Sequence, residues 1–408
     1  ALAPAWATSD TAAPSVSPEV QPSQVVELEP NRNYQLQAFV RGPGNVGVKV
    51  GRELFFEQQP RVSKDWRKVQ VSFPSGAFDQ VTVFCSSPAG EVRFDDFALF
   101  VLGEGEFKRS ARVLGSAAGG YGLSPDLPPG RNFDLLGWYV SLPTDRDNNG
   151  KADSIYEAEL VKGFEKRPYF YTGEDGGMVF WVTNSGARTS KNTKFTRTEL
   201  REMLRRGNKE ISTKNEDGTP NKNGWVFSSA PLSAQQRSGG VDGVLRATLA
   251  VNRVTTTGDP SHVGRVIVGQ IHAKDDEPAR LYYRKLPGHT KGSLYLAHEP
   301  LEREDLYFDL VGSRADDAPD PADGIALDEK FSYEIRVRGN TLTVRIFQGE
   351  DTKGEVTVDM SDSGYDVAND YMYFKAGVYN QNNTGDDDDY TQATFYELET
   401  HHEPPPSP

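Results

Sequence analysis

Short runs of alternating apolar and polar residues dominate the chain, and their period of two is that of a half-buried strand rather than a helix. Gln24–Leu28, Tyr34–Arg41, Val46–Val50, Trp66–Phe73, Gln80–Cys85 and Val92–Val101 follow at close spacing, with Gly, Pro and Asn turns between them. This predicts a small antiparallel sandwich. Residues 1–24, rich in Ala, Pro, Ser and Thr, are expected to be extended or disordered. A Gly/Ser/Pro-rich stretch from about 103 to 130 reads as a linker. Strand signals resume with Val179–Thr183, Lys194–Met203, Val244–Val254, Val263–Ala273, Ala279–Leu286, Ser293–His298 and Asp305–Val311. Phe331–Val337 and Thr341–Phe347 flank Gly339-Asn340, a hairpin signal, and Tyr371–Gln381 and Thr391–Leu398 come last. Helix-length amphipathic runs are few, so the second part is expected to be a large two-sheet sandwich. The expected boundaries are 1–107 for the small β-sandwich, 108–128 for the linker, 129–402 for the large sandwich and 403–408 for a tail.

Composition narrows the class. A chain of 408 residues has room for two or three domains, and 25% charged with 36% hydrophobic residues describes a globular, all-β protein rather than a disordered one. No stretch approaches the roughly 18 apolar residues of a membrane span, so no membrane partner is expected. Cys85 is the single cysteine, which rules out an intrachain disulfide. The chain opens Ala-Leu-Ala-Pro-Ala without Met, as a mature protein does after signal-peptide removal, so a secreted or periplasmic protein is expected; a monomer is the expected state. The net charge of −14 argues against nucleic acid as the main partner. Locally the balance reverses: between Arg188 and Lys214, nine Lys and Arg stand against three Glu, a stripe able to hold an acidic chain.

Three segments carry candidate chemistry. In Tyr373–Gln381, Tyr373, Lys375, Tyr379 and Gln381 share one face around a gap at Gly377, while Phe374, Ala376 and Val378 point to the core. That polar face suits a flat, anionic ligand. Thr196–Glu202 is ambiguous. Its Glu, Leu and Arg favour a helix, whereas a strand would line up Arg197, Glu199 and Arg201. In Gly264–Ala273, regular alternation puts Val266, Val268, Gln270 and His272 on one face. A lone strand histidine is more often structural, and Gln270 on the same face brings the functional reading level with that.

The blocks RTELRE (197–202), QIH (270–272) and YFKAGVYNQ (373–381), in this order, resemble the three signature blocks of the polysaccharide lyase 7 family of alginate lyases. The resemblance runs from about Asn132 to Leu398 and opens with NFDLLGWYVSLP, similar to the family's first strand. It implies a β-jelly roll of the concanavalin A-like class, with a groove for alginate. Residues Leu28–Gly42, Trp66–Phe73 and Val92–Phe100 resemble jelly-roll carbohydrate-binding modules, in which Trp66, Tyr34, Phe55 and Phe56 would stack on sugars or else fill the core.

β-Elimination from a uronate removes the C5 proton, expels the C4 oxygen and leaves a C4=C5 double bond. The neighbouring carboxylate must be neutralised, a base supplied and the leaving oxygen protonated. By the motif match, Arg197 and Gln270 neutralise, His272 is the base and Tyr379 the acid, or base and acid together in syn elimination. Glu199, Arg201, Lys375, Asn380 and Gln381 are expected along the groove, with Gly377 giving the sugar ring room. Ile271 of the QIH block tilts the expectation towards guluronate-containing or mixed substrates, cut internally. The alternatives are a non-catalytic lectin-like protein and a lyase for another polyuronate such as glucuronan. No cofactor is needed for this chemistry. Asp145, Asp147, Asn149 and Asp153 stand at calcium-loop spacing with Gly150 at the sixth position, but Tyr156 occupies the place of the last acid. Calcium there would be a structural ion, and a plain Asp/Asn turn is the other reading. Asp386–Asp389 reads as a solvated loop, a calcium site or an acidic groove rim.

Overall fold

The computed structural model describes residues 15–16, 23–29, 32–42, 44–50, 53–56, 66–75, 80–86, 92–102, 121, 123–349 and 351–407. The chain divides into two compact units between Ser116 and Ala117.

In the first unit the six predicted runs, joined by the short strands Ser15–Val16 and Glu53–Phe56 that were not predicted, form two four-stranded antiparallel sheets. Asn33–Arg41 is central to one of them, paired with Arg67–Pro74 on one side and Val92–Leu102 on the other. Its alternate residues Tyr34, Leu36, Ala38 and Val40 are buried with Val48, Val71, Val83 and Phe94. Tyr34 is thereby removed from the candidate sugar platforms: it is 4% exposed, and its hydroxyl is hydrogen-bonded to the backbone of Glu29. Trp66 remains at the surface, and the side chains of Phe55 and Phe56 lie outside the described residues.

The second unit contains a nine-stranded and an eight-stranded sheet. In spatial order the larger one runs Asp153–Ile155, Trp138–Leu142, Arg197–Glu202, Tyr373–Asn380, Arg265–His272, Ala279–Arg284, Lys291–His298 and Leu306–Val311, with Ile325–Ala326 added at Lys291. The smaller one is built around Tyr390–Glu403 and Gly240–Arg253. Its Lys330–Arg338 and Thr341–Gln348 strands form the hairpin expected at Gly339-Asn340. Leu200, Val268, Phe374 and Val378 of the large sheet pack with Phe180, Leu249, Ile335 and Phe395 of the other, all inaccessible to water. Because one face of the large sheet is spent on this core, its polar row stands on the other face. The all-β jelly-roll expectation holds.

RTELRE is a strand despite its helix-forming residues. It is paired on both edges, with Trp138–Leu142 and with Tyr373–Asn380, and all six residues are buried. Tertiary pairing outweighs a propensity worth only tenths of a kcal/mol per residue. The basic stripe breaks up where this strand ends. Arg205 makes a two-pronged bond to buried Glu157 at 2.7 and 3.1 Å, and Arg206 pairs with Asp134. Those two arginines hold the fold together and are not spare charges for a polyanion.

Candidate active site

Register brings the three blocks together. Opposite Tyr379, Gly377 and Lys375 stand Arg197, Glu199 and Arg201, while Gln270 and His272 lie opposite Lys375 and Tyr373 from the other side. Regular alternation along Arg265–His272 does not hold, however. The register shifts between Ile267 and Gly269 on both neighbouring strands. Val266 and Val268 therefore point into the core, as Ile271 does, and Gln270 and His272 reach the opposite face only because the bulge changes the parity. The Val268 carbonyl accepts the Tyr333 hydroxyl at 3.0 Å, and a Cβ on Gly269 would lie 2.6 Å from that oxygen. The glycine thus admits a cross-core bond that pins the bulge.

Gly377 also differs from expectation. Its φ is +139°, and a Cβ there would meet the Thr198 carbonyl at 2.8 Å and Glu199 Cα at 2.9 Å. The missing side chain lets the two site strands approach each other, rather than giving a ligand room.

Glu199 is the hub of the face. Only 1% exposed, it accepts Arg197 Nη1 at 3.0 Å and binds Lys375 Nζ and Gln270 Nε2 at close range. Burial opposes its ionisation, but Lys375 and Arg197 outweigh that and hold the carboxyl below its ordinary range. Burial, then the Arg197 charge, lowers Lys375 to about 8 in spite of Glu199. Arg197 lies over the Tyr379 ring, with Cζ 3.6 Å from its centroid. Burial raises the Tyr379 phenol above 10, Arg197 opposing and Glu199 and Glu277 adding, so the residue is a neutral proton donor. Arg201 lies 3.9 Å over Tyr373 and makes no ion pair among the described residues. Tyr373 in turn stacks on His272 at 4.9 Å and 14°. Three cations against one carboxylate leave two positive charges on this face.

Two of the expected site residues, the carboxylate neutraliser Gln270 and the groove residue Asn380, are turned inward. Gln270 is fully buried beneath Glu199, its amide nitrogen committed to that carboxylate and its Oε1 without a partner. Asn380 is also fully buried, bonding Asn184 at 2.8 Å and the Asn382 carbonyl at 3.0 Å. It anchors the strand end and has no atom left for a ligand. Gln381, 5% exposed, bonds the Asn380 carbonyl at 3.3 Å.

The calcium-loop candidates sit in a loop closed by its own hydrogen bonds. Asp145 accepts the amides of Asn149 and Gly150, and Asp153 bonds Thr144 and Arg146. Among the described residues no group of three or more His, Cys, Asp or Glu stands together. Asp389, from the acidic run, accepts the amides of Thr256 and Thr257 and pairs with Arg253, a loop anchor rather than a rim.

Sequence reasoning missed two site residues. Tyr139 stands opposite Arg201, its ring centroid 5.7 Å from the guanidinium, and Glu277 touches His272. The first sits inside the opening-strand block, but the second lies in Lys274-Asp275-Asp276-Glu277, which reads as a solvated turn.

Comparison with known proteins shows the family. The alginate lyase family model matches residues 133–402. A curated alginate lyase of Klebsiella pneumoniae is 53% identical over 283 residues, covering 67% of this chain and 91% of that protein. The crystal structure of the alginate lyase from Klebsiella pneumoniae, 52% identical, gives a TM-score of 0.65 over 67% of this chain and 98% of its own. An exolytic PL7 alginate lyase from Zobellia galactanivorans shares the fold at 24% identity and a TM-score of 0.51, covering 68% and 99% of the two chains. With a family model across most of its length and a relative identical at more than half of the aligned positions, the chain belongs to polysaccharide lyase family 7, the alginate lyases.

Proposed function

We propose that this chain depolymerises alginate by β-elimination at internal linkages, accepting guluronate-containing or both block types, and leaves a 4,5-unsaturated uronate at the new non-reducing end. The observation that carries the reading is the polar face itself: Arg197, Arg201 and Lys375 around a single buried carboxylate, with a neutral phenol and a neutral imidazole beside them. The excess positive charge draws in uronate carboxylates and offsets the second negative charge that develops when C5 loses its proton. Arg201, which lacks an acidic partner among the described residues, is the cation freest to take a carboxylate. Tyr379 protonates the departing C4 oxygen. His272 takes the C5 proton where base and acid must act from opposite faces of the ring. Glu199 and Gln270 do not touch the substrate; they fix Arg197 and Lys375 beneath it.

The first unit is assigned a carbohydrate-binding role. In support, Gln37 and Gln70 each donate to Gln35 Oε1 at 2.9 Å, an outward amide ladder beside the half-exposed Phe100. Incubation with alginate tests the central reading. The ultraviolet absorbance of the conjugated double bond should rise as viscosity falls. Binding without that rise would make the protein a lectin, and a rise with glucuronan alone would move it to another polyuronate.

A further inference from the structure

Glu277 lies outside all three motifs, on the turn that follows the His272 strand, and its side chain folds back onto the imidazole. The Ala273 amide closes this turn on the Asp276 carbonyl at 2.7 Å, and the Glu277 amide donates to Glu299 Oε2 at 3.3 Å. His272 Nδ1 is 2.6 Å from the Ala273 carbonyl, which only accepts, so Nδ1 carries the hydrogen. A neutral ring then has a lone pair at Nε2, and Nε2 lies 3.2 Å from Glu277 Oε1. A lone pair facing a carboxylate oxygen repels it, so a proton must lie between the two.

We propose that Glu277 is the positioning residue for His272: one proton shared between Oε1 and Nε2 caps the base at rest. Loss of that proton frees Nε2 to take the C5 hydrogen, and the carboxylate then steadies the imidazolium that forms. The inference rests on the elimination reading above.

The surroundings place that proton on Glu277. Burial raises its carboxyl to about 7, Arg280 at 3.9 Å opposing and Glu299 reinforcing the rise. His272 is driven well below 6.5 by burial and then by Lys375, with Arg197 and Arg201 adding and the Ala273 carbonyl opposing. Asp276 stands on the turn itself, and Arg280 is tied to Asp305 at 2.6 Å.

Two substitutions separate this role from a structural one, measured as steady-state rates on polyguluronate from about pH 5 to 9. The wild-type kcat should rise with pH through about 7. In Glu277→Gln the amide keeps donating to Nε2 and has no proton to release. Its kcat should fall about 100-fold and lose that rise, with KM little changed. In Glu277→Ala the cap and the carboxylate are both gone, and a loss of about 10-fold is expected, flat across the same window. A glutamine variant slower than the alanine variant is the signature, because a structural role would rank glutamine nearer to wild type. Glutamine equal to or faster than alanine, or a wild-type pH rise in either variant, overturns the proposal. Nitrogen chemical shifts of His272 in the unaltered protein read the same contact without a variant. Protonated Nδ1 and a hydrogen-bonded lone pair at Nε2 are expected, and hydrogen on Nε2 alone overturns it. If the wild type makes no unsaturated product, the elimination reading fails, while the nitrogen shifts still decide the pair.

Discussion

Replacing Glu199 with Gln removes the one negative charge that Arg197 and Lys375 share inside the large sheet. The carboxylate is 1% exposed and lies 3.0 Å from Arg197 Nη1, with Lys375 Nζ at close range. At an effective dielectric of about 20, a charge pair at that distance is worth roughly 5 kcal/mol. Much of this offsets the cost of burying the charges, so the loss on removing one partner is set by the cation left unpaired, typically about 3–5 kcal/mol. The amide oxygen of glutamine still accepts one hydrogen bond, which points to the lower end, about 3 kcal/mol. Urea unfolding followed by tryptophan fluorescence measures it, since Trp138, Trp181 and Trp225 all belong to the second unit. Adding Lys375→Met to Glu199→Gln should recover about 1–2 kcal/mol, because one stranded cation is gone. A single variant that loses under about 1 kcal/mol, or a double variant that loses the sum of the two singles, would refute the hub argument.

Gly377→Ala should cost about 2–4 kcal/mol, because φ of +139° is strained for alanine and its Cβ would lie 2.8 Å from the Thr198 carbonyl. Activity should fall with it, and thermal unfolding within 1 °C or so of wild type would show that the strands do not need the glycine. Asp370, 7% exposed, is raised by burial to about 6 although the Lys274 and Tyr371 amides donate to it. Because its folded value lies above the unfolded one near 3.8, stability is whole below about pH 4 and falls as pH rises towards 6. Asp370→Asn should therefore gain about 1–2 kcal/mol at pH 8 and nothing at pH 4, as read by denaturant midpoints; an equal gain at both would refute the charge argument.

Much of the fold and site was legible because alternation and motif order both report on strands. The faces of Tyr373–Asn380 and the Gly339-Asn340 hairpin came directly from period and turn chemistry. The parity change at Val268 did not, since it depends on Tyr333 reaching across from the other sheet. The same limit hid the burial of Gln270 and Asn380, which sequence reasoning gave a catalytic and a substrate-binding role respectively. Glu277 was invisible for the opposite reason: an acidic turn looks solvated until the fold brings it back against His272.

The central claim is that Tyr379 moves the proton in the elimination, and Tyr379→Phe tests it most directly. The substitution keeps the ring beneath Arg197 and deletes only the hydroxyl. Formation of the unsaturated product should be followed on polymannuronate and polyguluronate separately, with binding to each polymer measured in parallel. The account predicts a fall in kcat of about 100-fold or more on both polymers with binding retained. Wild-type turnover on either polymer would contradict it.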